Sequence, residues 1–524
     1  MERMRMTSIF IPKALLILLM TGPAEADSIL DRGWWENFFK ERIEYGGFVE
    51  NSVGLSIASG DSKSTTSNRF IMNRFTIQPE LSIDFAESLK LFVSWRFVKE
   101  PRYNKEAKDR RRNAPSRPPL KNTFYDEDSF KPWEMVWDII PTDRLSLRVG
   151  KQLISWGETT GLRILDVINP QDGTFAPLGP NLFSLDETRI PMWGLRVFYT
   201  VRPVSNTILE FIVMPGFDER DKRVDEGAPI AARWRFHPET RIGLGCLFVT
   251  PTGPTCDIIP SIHREFPDAG DNWKIGARIT HNIGKLSFGL GYIWGFNPQA
   301  SDLVFKLTGS SGSIASLKLF NDRTSIFAAH FNYPLGTYGG IPIKTAVSGE
   351  FALYPSKPYN ISKYPGSFGL KAGPHPRHPK GITEKNTLRY SLSFDRSTFI
   401  PFLHPDDPWR AFLLSLQVFQ SIIFDHEDGI RSSSSAEKIK KVSTSLTFGV
   451  RTGYFGDTIL PGIFLFYDPR GYWGANPAVS YLPPWNEKIK LTLTAVIFGG
   501  RNKFSSFGLF SEKDSIFLKM RYQF

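Results

Sequence analysis

The chain has 524 residues, of which 41% are hydrophobic and 14% aromatic, and it carries a formal net charge of +11. No apolar stretch reaches the ~18 residues of a membrane-spanning helix, which excludes a helical membrane protein. The mean hydropathy of −0.22 is compatible with a membrane β-barrel, because polar lumen-facing residues alternate with apolar lipid-facing residues along each strand.

The N-terminal segment has the order of features found in a secretory signal peptide. Basic residues precede an apolar run at 14–20 (ALLILLM), and the Ala-Glu-Ala sequence at 24–26 fits the small-x-small cleavage pattern. We therefore predict that residues 1–26 are a signal peptide and that the mature protein begins at Asp27.

Residues 27–41 form a short segment before the first predicted strand. Leu30, Trp34 and Phe38 recur at the i, i+4 spacing of a helix, which predicts an amphipathic helix at the periplasmic surface or in the barrel mouth. Simple packing against the base of the barrel fits this spacing as well as a gating role does.

The remaining chain, residues 42–524, is predicted to form one transmembrane antiparallel β-barrel. Segments in which apolar and polar residues alternate recur about eighteen times, although a count of sixteen fits the same pattern. Tight connections alternate with long ones, as in a barrel with short periplasmic turns and long external loops. The predicted strands are 42–58, 69–86, 88–99, 131–140, 144–154, 191–202, 206–215, 272–282, 285–297, 324–334, 340–354, 385–399, 409–425, 440–455, 458–467, 474–483, 486–500 and 515–524.

Charged residues share one face of several of these strands. A charged side chain that faces lipid at mid-membrane costs about 2–4 kcal/mol, so the charged faces are predicted to line a wet lumen. Whether each residue braces the wall or selects solutes is left open by local sequence. The candidates for the lumen are Arg74, Arg96, Glu134, Asp138, Arg148 and Gln152.

A strongly basic run occupies residues 100–121, in a predicted external loop. Arg110, Arg111 and Arg112 are candidates for contact with lipopolysaccharide phosphates, because arginine binds phosphate groups well. Recruitment of an anionic solute and a solvated loop without a ligand are the alternatives. Nucleic acid is not an expected partner of an exported barrel.

The predicted loop 155–190 is rich in glycine and proline, which favour turns over regular structure. A loop of this length in a compact barrel is usually functional, and it would either fold inward and narrow the pore or pack on the rim. Its candidate residues are Trp156, Glu158, Arg163, Asp166 and Asn169.

The same region resembles a known family. Residues 149–158 read VGKQLISWGE, and residues 166–173 read DVINPQDG. This order is similar to the Gly-Arg/Lys-Gln, Trp-Gly-Glu, Asn-Pro pattern of a large family of proteobacterial outer-membrane barrels with no assigned activity. The resemblance implies movement of hydrophobic or amphiphilic molecules across the envelope. It also implies two partners, a LolB-like periplasmic protein and an inner-membrane permease of the RND type.

The two cysteines, Cys246 and Cys256, lie close together in a predicted external loop. In an exported protein such a pair is expected to form a disulfide, with two free thiols as the alternative. A metal site is disfavoured, because two sulfurs alone do not complete a tetrahedral shell.

The C-terminal segment 515–524 (SIFLKMRYQF) alternates and ends on Phe524. A barrel must close its last strand on its first, so we expect 515–524 to pair with the segment around Tyr45. A terminal aromatic on such a strand also resembles the signal by which bacterial outer-membrane barrels are recognised, which implies the barrel-assembly machinery as a partner.

These features predict an outer-membrane barrel of a Gram-negative bacterium for the passage of solutes. The alternatives are a general or anion-preferring porin and a structural or assembly barrel plugged by loops. We expect no enzyme, cofactor or metal, because His281 and His330 lack an accompanying nucleophile or acidic dyad and prolines surround His375 and His378. Outer-membrane lipids complete the expected partners.

Overall fold

Eighteen strands form a closed antiparallel sheet in a computed structural model of the protein. The first strand, Ile43–Ser56, pairs with the second and also with the last, Ser515–Gln523, so the sheet has no free edge. Phe48 lies opposite Gln523 at this junction. The prediction of an antiparallel barrel of about eighteen strands is therefore confirmed.

The structure describes most of the wall and parts of the loops. The predicted signal peptide (1–26), the segment 27–41, the three arginines (Arg110, Arg111 and Arg112) and both cysteines (Cys246 and Cys256) lie outside the described residues. The described residues are 42–57, 70–101, 131–170, 189–201, 206–216, 249–250, 253–254, 262–265, 273–296, 304–308, 316–320, 323–338, 341–361, 377–378, 381–407, 409–431, 438–501 and 514–524.

The wall strands are numbered β1 to β18 in chain order, and the third is interrupted at residues 95–96. Their bounds are β1 Ile43–Ser56, β2 Phe70–Ala86, β3 Leu89–Ser94 with Phe97–Lys99, β4 Glu134–Thr142, β5 Leu145–Gln152, β6 Met192–Thr200, β7 Thr207–Met214, β8 Lys274–Ile283, β9 Leu286–Phe296, β10 Arg323–Pro334, β11 Thr345–Ile361, β12 Ile382–Phe399, β13 Ala411–Ile423, β14 Val442–Arg451, β15 Ile459–Asp468, β16 Tyr472–Tyr481, β17 Ile489–Gly500 and β18 Ser515–Gln523.

The outward face of the barrel is apolar. In β18 the side chains of Leu518, Met520 and Tyr522 are exposed, whereas Lys519 and Arg521 between them point into the barrel and meet Glu50. Exposed apolar side chains recur on the outer face of other wall strands, including those of β2, β7, β8 and β17. An outward apolar belt around an inward polar surface is the arrangement of a transmembrane barrel.

The two ends of the barrel differ in the length of their connections. Two-residue turns join β4 to β5 and β8 to β9 at one end, which we call the short-turn end. The connections at the opposite, long-loop end include the long stretch between β7 and β8. In the connection between β7 and β8, the short strand Ile262–Glu265 pairs with Ser316–Phe320, which belongs to the connection between β9 and β10. Ser316–Phe320 also pairs with Val304–Thr308 of its own connection.

Other short elements lie outside the wall. Two-residue strands pair locally, a 3-10 turn spans Pro401–Leu403, and Ile430–Arg431 adds to the end of β11. Among the described residues, no helix is both long and apolar enough to cross a membrane.

Strand β11 is longer than the sequence predicts. The predicted strand spans 340–354, yet β11 continues to Ile361, past Pro355 and Pro358, which disfavour a regular strand. A register shift between Tyr354 and Lys357 places Pro355 in a bulge, where Ser356 has a positive φ of 50°, whereas Pro358 lies opposite Glu384 in the continued ladder. The β11–β12 hairpin can therefore continue beyond the regular wall.

Candidate functional site in the barrel lumen

Residues 153–170, which we call the inner loop, leave β5 and fold into the barrel. The inner wall that receives this loop is partly apolar, in contrast to the polar lumen expected of such a barrel. Loop and wall together bury a continuous apolar cluster. It consists of Ile154, Trp156, Ile164, Leu165, Val167 and Ile168 from the loop and Met192, Ile212, Met214, Ile293, Ile326, Ala328, Ala352, Tyr354 and Phe419 from the wall.

Glu350 on β11 holds the middle of the inner loop. Its Oε1 accepts hydrogen bonds from the backbone N–H groups of Glu158 and Thr159, the latter at 3.0 Å, and its Oε2 accepts one from Leu165 at 3.2 Å. A Cβ on Gly157 would lie 3.2 Å from Glu350 Oε2 and 2.9 Å from the Asp166 nitrogen. The glycine of the Trp-Gly-Glu sequence therefore lets the loop backbone approach this carboxylate.

Trp156 anchors the loop to β7 and β8. Its indole N–H donates to Glu210 Oε1 at 3.0 Å, and the Arg278 guanidinium lies 5.0 Å from its ring centre. Glu210 also accepts from Arg196 and Arg278, each at 2.6 Å. The buried carboxylate is thus neutralised by two arginines and still accepts from the indole, which fixes the ring in one orientation.

The far turn of the loop reaches β13 and β14. Gln417 Oε1 accepts hydrogen bonds from the Thr160 hydroxyl at 3.1 Å and from the Gly161 nitrogen at 3.2 Å. Thr447 on β14 also donates to Gln417, at 3.4 Å. The loop therefore extends along the inner wall from β5 to β14, half of the barrel circumference.

Lys274 and Asn169 hold residues 167–169, where the inner loop returns toward the wall. The buried Lys274 ammonium donates to the carbonyls of Val167 and Ile168, at 3.1 and 2.7 Å. Asn169 Oδ1 accepts from the Ile154 nitrogen at 2.7 Å, and its Nδ2 donates to the Gln152 carbonyl at 3.2 Å. Because Lys274 satisfies backbone carbonyls, its own burial is compensated by hydrogen bonds.

The Gly-Lys-Gln sequence at the end of β5 starts this arrangement. Gly150 has φ +138°, and a Cβ there would lie 2.0 Å from the Met135 carbonyl oxygen. Two residues later, Gln152 donates to the Gly194 carbonyl at 3.0 Å and accepts from Asn169 through its own carbonyl. Residues of two of the short sequences that carried the family resemblance, Gln152 and Asn169, therefore meet at the base of the inner loop.

The charged candidates of the loop have different surroundings. Asp166 is buried and forms ion pairs with Arg163 and Arg189, each at 2.8 Å. Glu158, by contrast, is exposed, as are Thr160 and Leu162. The carboxylate of Glu158 and the side chain of Leu162 are therefore exposed to the lumen. Asp166 adds little charge to the lumen, because it is buried and paired with two arginines.

The strand candidates belong to ladders along the inner wall. Asp138 on β4 and Arg148 on β5 form a two-point ion pair, with Arg148 Nε donating at 2.7 Å. Arg74 lies 3.7 Å from Glu100 and is buried. The guanidinium of Arg96 lies 5.2 Å from the Trp133 ring centre, and Glu134 lies opposite Ser94 on β3.

Across the lumen, the junction of β17, β18 and β1 carries a second cluster, which we call the seam. Glu50 Oε2 lies 3.0 Å from Lys519 and 2.6 Å from Arg521, and Arg521 also lies over the Phe48 ring at 4.1 Å. Lys490 on β17 is directly opposite Arg521 and is exposed. No residue of the inner loop is among these contacts.

Uncharged polar side chains complete this side of the wall. Asn476 donates to Thr494 Oγ1 at 2.9 Å, and Ser480 and Thr492 are hydrogen-bonded at 2.9 Å. Asn476, Thr492 and Thr494 are themselves buried, so their polar groups are satisfied by one another and by the wall backbone. The described lumen therefore has one half covered by the inner loop and one half lined by polar side chains.

Sequence reasoning missed the wall residues that hold the loop. Glu210, Lys274, Glu350 and Gln417 were not among the candidates, because each resembles an ordinary lumen-facing residue. The only signal was local: Lys274 starts β8, at the long-loop end of its strand, where a buried lysine needs a partner.

The histidines considered for catalysis do not form a common site. His281 on β8 packs against Phe288, on the outward face of β9, whereas His330 on β10 lies next to Gly289 on the inward face. His378 bonds Glu427 near the long-loop end, at 2.9 Å. Within the described part of the chain, no group of three or more His, Cys, Asp or Glu residues is arranged to hold a metal ion.

The chain is similar to one family model and to several solved structures. A family model described as "Protein of unknown function (DUF1302)" matches residues 14–524. Similar solved structures include Pseudomonas aeruginosa OccK3 (OpdO), with 8% identity and a TM-score of 0.45 over 94% of this chain and 97% of that one. Acinetobacter baumannii OccAB3 has 7% identity and a TM-score of 0.45 over 92% and 99% of the two chains. No curated protein matches the chain.

Proposed function

The chain belongs to the DUF1302 family, and we propose that it is an outer-membrane channel of a Gram-negative bacterium. The observation that carries this proposal is the division of the lumen. The inner loop is fixed to the wall from β5 to β14, and the seam side presents polar and charged side chains. A polar surface enclosed by an outward apolar belt gives solutes a wet route through the membrane.

The proposed route passes between the inner loop, which narrows the lumen, and the seam. We call this narrowed part of the lumen the constriction. Glu350, Gln417 and Lys519 all lie near the middle of their strands, so loop and seam face each other at mid-height. The exposed tip of the inner loop, at Glu158 and Leu162, forms the opposite boundary. Solutes would therefore pass between one fixed loop and one charged wall.

The finer proposal is that the solutes are hydrophobic or amphiphilic. It is supported by the resemblance of the Gly-Lys-Gln, Trp-Gly-Glu and Asn-Pro sequences to barrels that are often encoded beside envelope transport proteins. The exposed Leu162 gives the constriction an apolar contact beside its polar ones. A LolB-like periplasmic protein and an RND-type permease would supply or remove such solutes, because an apolar molecule needs a carrier in water.

Single-channel recording in planar bilayers tests the channel. Steady ohmic current through the purified barrel is the expected result. Silence at all voltages would contradict an open route and would favour the alternative, a loop-plugged structural or assembly barrel. A barrel with the inner loop released, as in Glu350→Ala, serves as the reference, because its current reports whether the preparation contains inserted barrels.

Liposome swelling tests the class of solute. Swelling rates are measured for hexanoate, hexanamide and a sugar of similar mass in vesicles that contain the barrel. Faster entry of the two six-carbon amphiphiles than of the sugar is expected. Equal rates for all three solutes would instead indicate a general porin.

A further inference from the structure

We propose that the inner face of β15 is a binding surface for the hydrocarbon part of an amphiphilic solute. This inference rests on the proposed function, because the surface lies in the lumen, and it names the group by which the solute would be held. We call the surface the apolar stripe. It consists of Leu460, Gly462, Phe464 and Phe466.

Strand β15 departs from the alternation of apolar and polar residues. Every residue from Ile459 to Phe466 is apolar, so the lumen-facing side of the strand is apolar as well as the lipid-facing side. The register identifies the lumen-facing side, because Phe466 lies opposite Thr447, which contacts Gln417 under the inner loop. A strand that lines a wet lumen is expected to carry polar residues there, and an apolar surface that faces water is typical of a binding surface.

The phenyl rings of the stripe are accessible from the lumen. Phe464 and Phe466 are half-buried, as are Ile463 and Leu465, which face lipid from the same strand. Gly449 lies opposite Phe464 on β14, and a Cβ there would lie 3.9 Å from the ring, at ordinary contact distance. Space therefore remains beside the ring, and no described residue of β15 belongs to the apolar cluster that the inner loop covers.

The stripe lies next to the far turn of the inner loop. A Cβ on Gly161 would lie 2.6 Å from Thr447 Cγ2, so this turn is packed against β14, the strand beside β15. Leu162, the next residue of the loop, is exposed in the constriction. A solute that contacts Leu162 on the proposed route therefore has the rings of Phe464 and Phe466 on the adjoining wall.

The short-turn end of the stripe has polar neighbours. Gly462 pairs with Arg451 on β14, which is exposed, and Leu460 pairs with Ser480 on β16. An amphiphilic solute can thus lay its hydrocarbon on the phenyl rings while its polar group accepts a hydrogen bond from Arg451. Contact between an alkyl chain and the rings is favourable, because it removes apolar surface of both partners from water.

Protection of an introduced cysteine tests the stripe without any current through the barrel. Ala478→Cys changes a small, half-buried residue on β16 that lies opposite Gly462, in a background with Cys246 and Cys256 replaced by serine. In the purified full-length barrel, a charged methanethiosulfonate reagent should modify the new thiol. Hexanamide should slow this reaction about threefold at a concentration of about twice its dissociation constant. Acetamide at the same concentration has the same polar group but little hydrocarbon, so it should not slow the reaction.

Variants of one ring assign the protection to the stripe. Phe464→Ala should raise the dissociation constant of hexanamide about fivefold, whereas Phe464→Leu keeps an apolar side chain and should retain most of the binding. Phe92→Ala is the matched control, because Phe92 is a half-buried phenylalanine on the inner face of β3, opposite Ser82 and away from the stripe. Ser146→Cys, on the inner face of β5, should react at the same rate with and without hexanamide.

Three outcomes would overturn the proposal. An Ala478→Cys barrel that does not react in the absence of solute would show that another part of the chain covers the stripe. Equal protection by hexanamide and acetamide would show that hydrocarbon is not what binds. Unchanged protection in Phe464→Ala would place the binding elsewhere, and the comparison of the two amides decides the question even if that variant fails to fold.

Conductance separates this inference from the proposed function. A barrel that conducts ohmic current but shows no hexanamide-specific protection refutes the stripe and leaves the channel intact. A silent barrel in which hexanamide protects the Ala478→Cys thiol in a Phe464-dependent way keeps the stripe and refutes the channel.

Discussion

The two halves of the lumen treat buried charge in opposite ways. In the half covered by the inner loop, Glu350 and Lys274 are satisfied by backbone groups of the loop, so charge fixes structure. At the seam, Glu50 is satisfied by Lys519 and Arg521, and Lys490 is left to the solvent. Charge in one half therefore holds the inner loop, whereas charge in the other half pairs across the strands that close the barrel and leaves only Lys490 of the seam exposed.

Trp156→Ala should give the largest effect on this division. The indole is buried in the loop–wall cluster and donates to Glu210, so its loss should lower the free energy of unfolding by about 3–5 kcal/mol. Urea titration of the barrel in lipid vesicles measures the change. Trp485→Ala, at a side chain that is 76% exposed, is the control and should cost at most about 1 kcal/mol.

Glu350→Ala should come next, with a loss of about 2–4 kcal/mol, because three loop N–H groups lose their acceptor. The loop should then leave the wall and the single-channel conductance should change. Glu384→Ala, which removes an exposed carboxylate from neighbouring β12, should leave conductance as it is. Unchanged conductance in Glu350→Ala would show that this carboxylate does not fix the constriction.

Glu50→Gln should sharpen the contrast at the seam. The change removes the carboxylate that Lys519 and Arg521 share, so stability should fall by about 1–3 kcal/mol and chloride should be favoured over potassium more strongly. The reversal potential in a KCl gradient measures the selectivity. Gln78→Glu adds a carboxylate on nearby β2 and should move the potential the other way.

The smallest expected effect is a change in local stability with pH at the long-loop end of the barrel, outside both halves of the lumen. The hydrogen bond from Lys385 lowers the pKa of Glu427 to about 2, against the opposing effect of partial burial, and the hydrogen bond with His378 adds to the lowering. Because this pKa lies below its ordinary value of 4.5, the stabilisation is present above pH 4.5 and is lost as the pH falls toward 2.

Hydrogen exchange of residues 424–431, corrected for intrinsic rates, should therefore rise in that acid range. Glu427→Gln should remove the pH dependence. A rim that stays equally protected at pH 2 and 6 in the wild type would contradict this assignment.

Much of the wall could be predicted from sequence. Lipid on one side of the wall and a polar lumen on the other require apolar and polar residues to alternate along each strand, with a period of two. In β18 the alternation of Leu518, Lys519, Met520 and Arg521 sufficed to predict the faces that the structure shows. Strand ends were less predictable. At Pro355 the local preference for a break was overridden by the pairing of β11 with β12.

The site was less predictable, because its contacts join residues far apart in the chain. Glycine and proline content indicated that 155–190 was unusual, but Thr159 and Glu350 are 191 residues apart in the chain. No sequence pattern near Glu350 predicts that its carboxylate oxygens accept hydrogen bonds from three backbone N–H groups of the loop. Such a partner can be found only when the strand order and the register are known.

The proposed channel requires the inner loop to be a fixed boundary rather than a gate. Thr160→Cys and Gln417→Cys, at side chains now joined by a 3.1 Å hydrogen bond, can be linked by a short bifunctional thiol reagent in a background with Cys246 and Cys256 replaced by serine. Single-channel conductance before and after linking should be the same, because the loop already lies on the wall. Loss of current on linking, with recovery after cleavage of the linker, would contradict the account and show that the loop must move for solutes to pass.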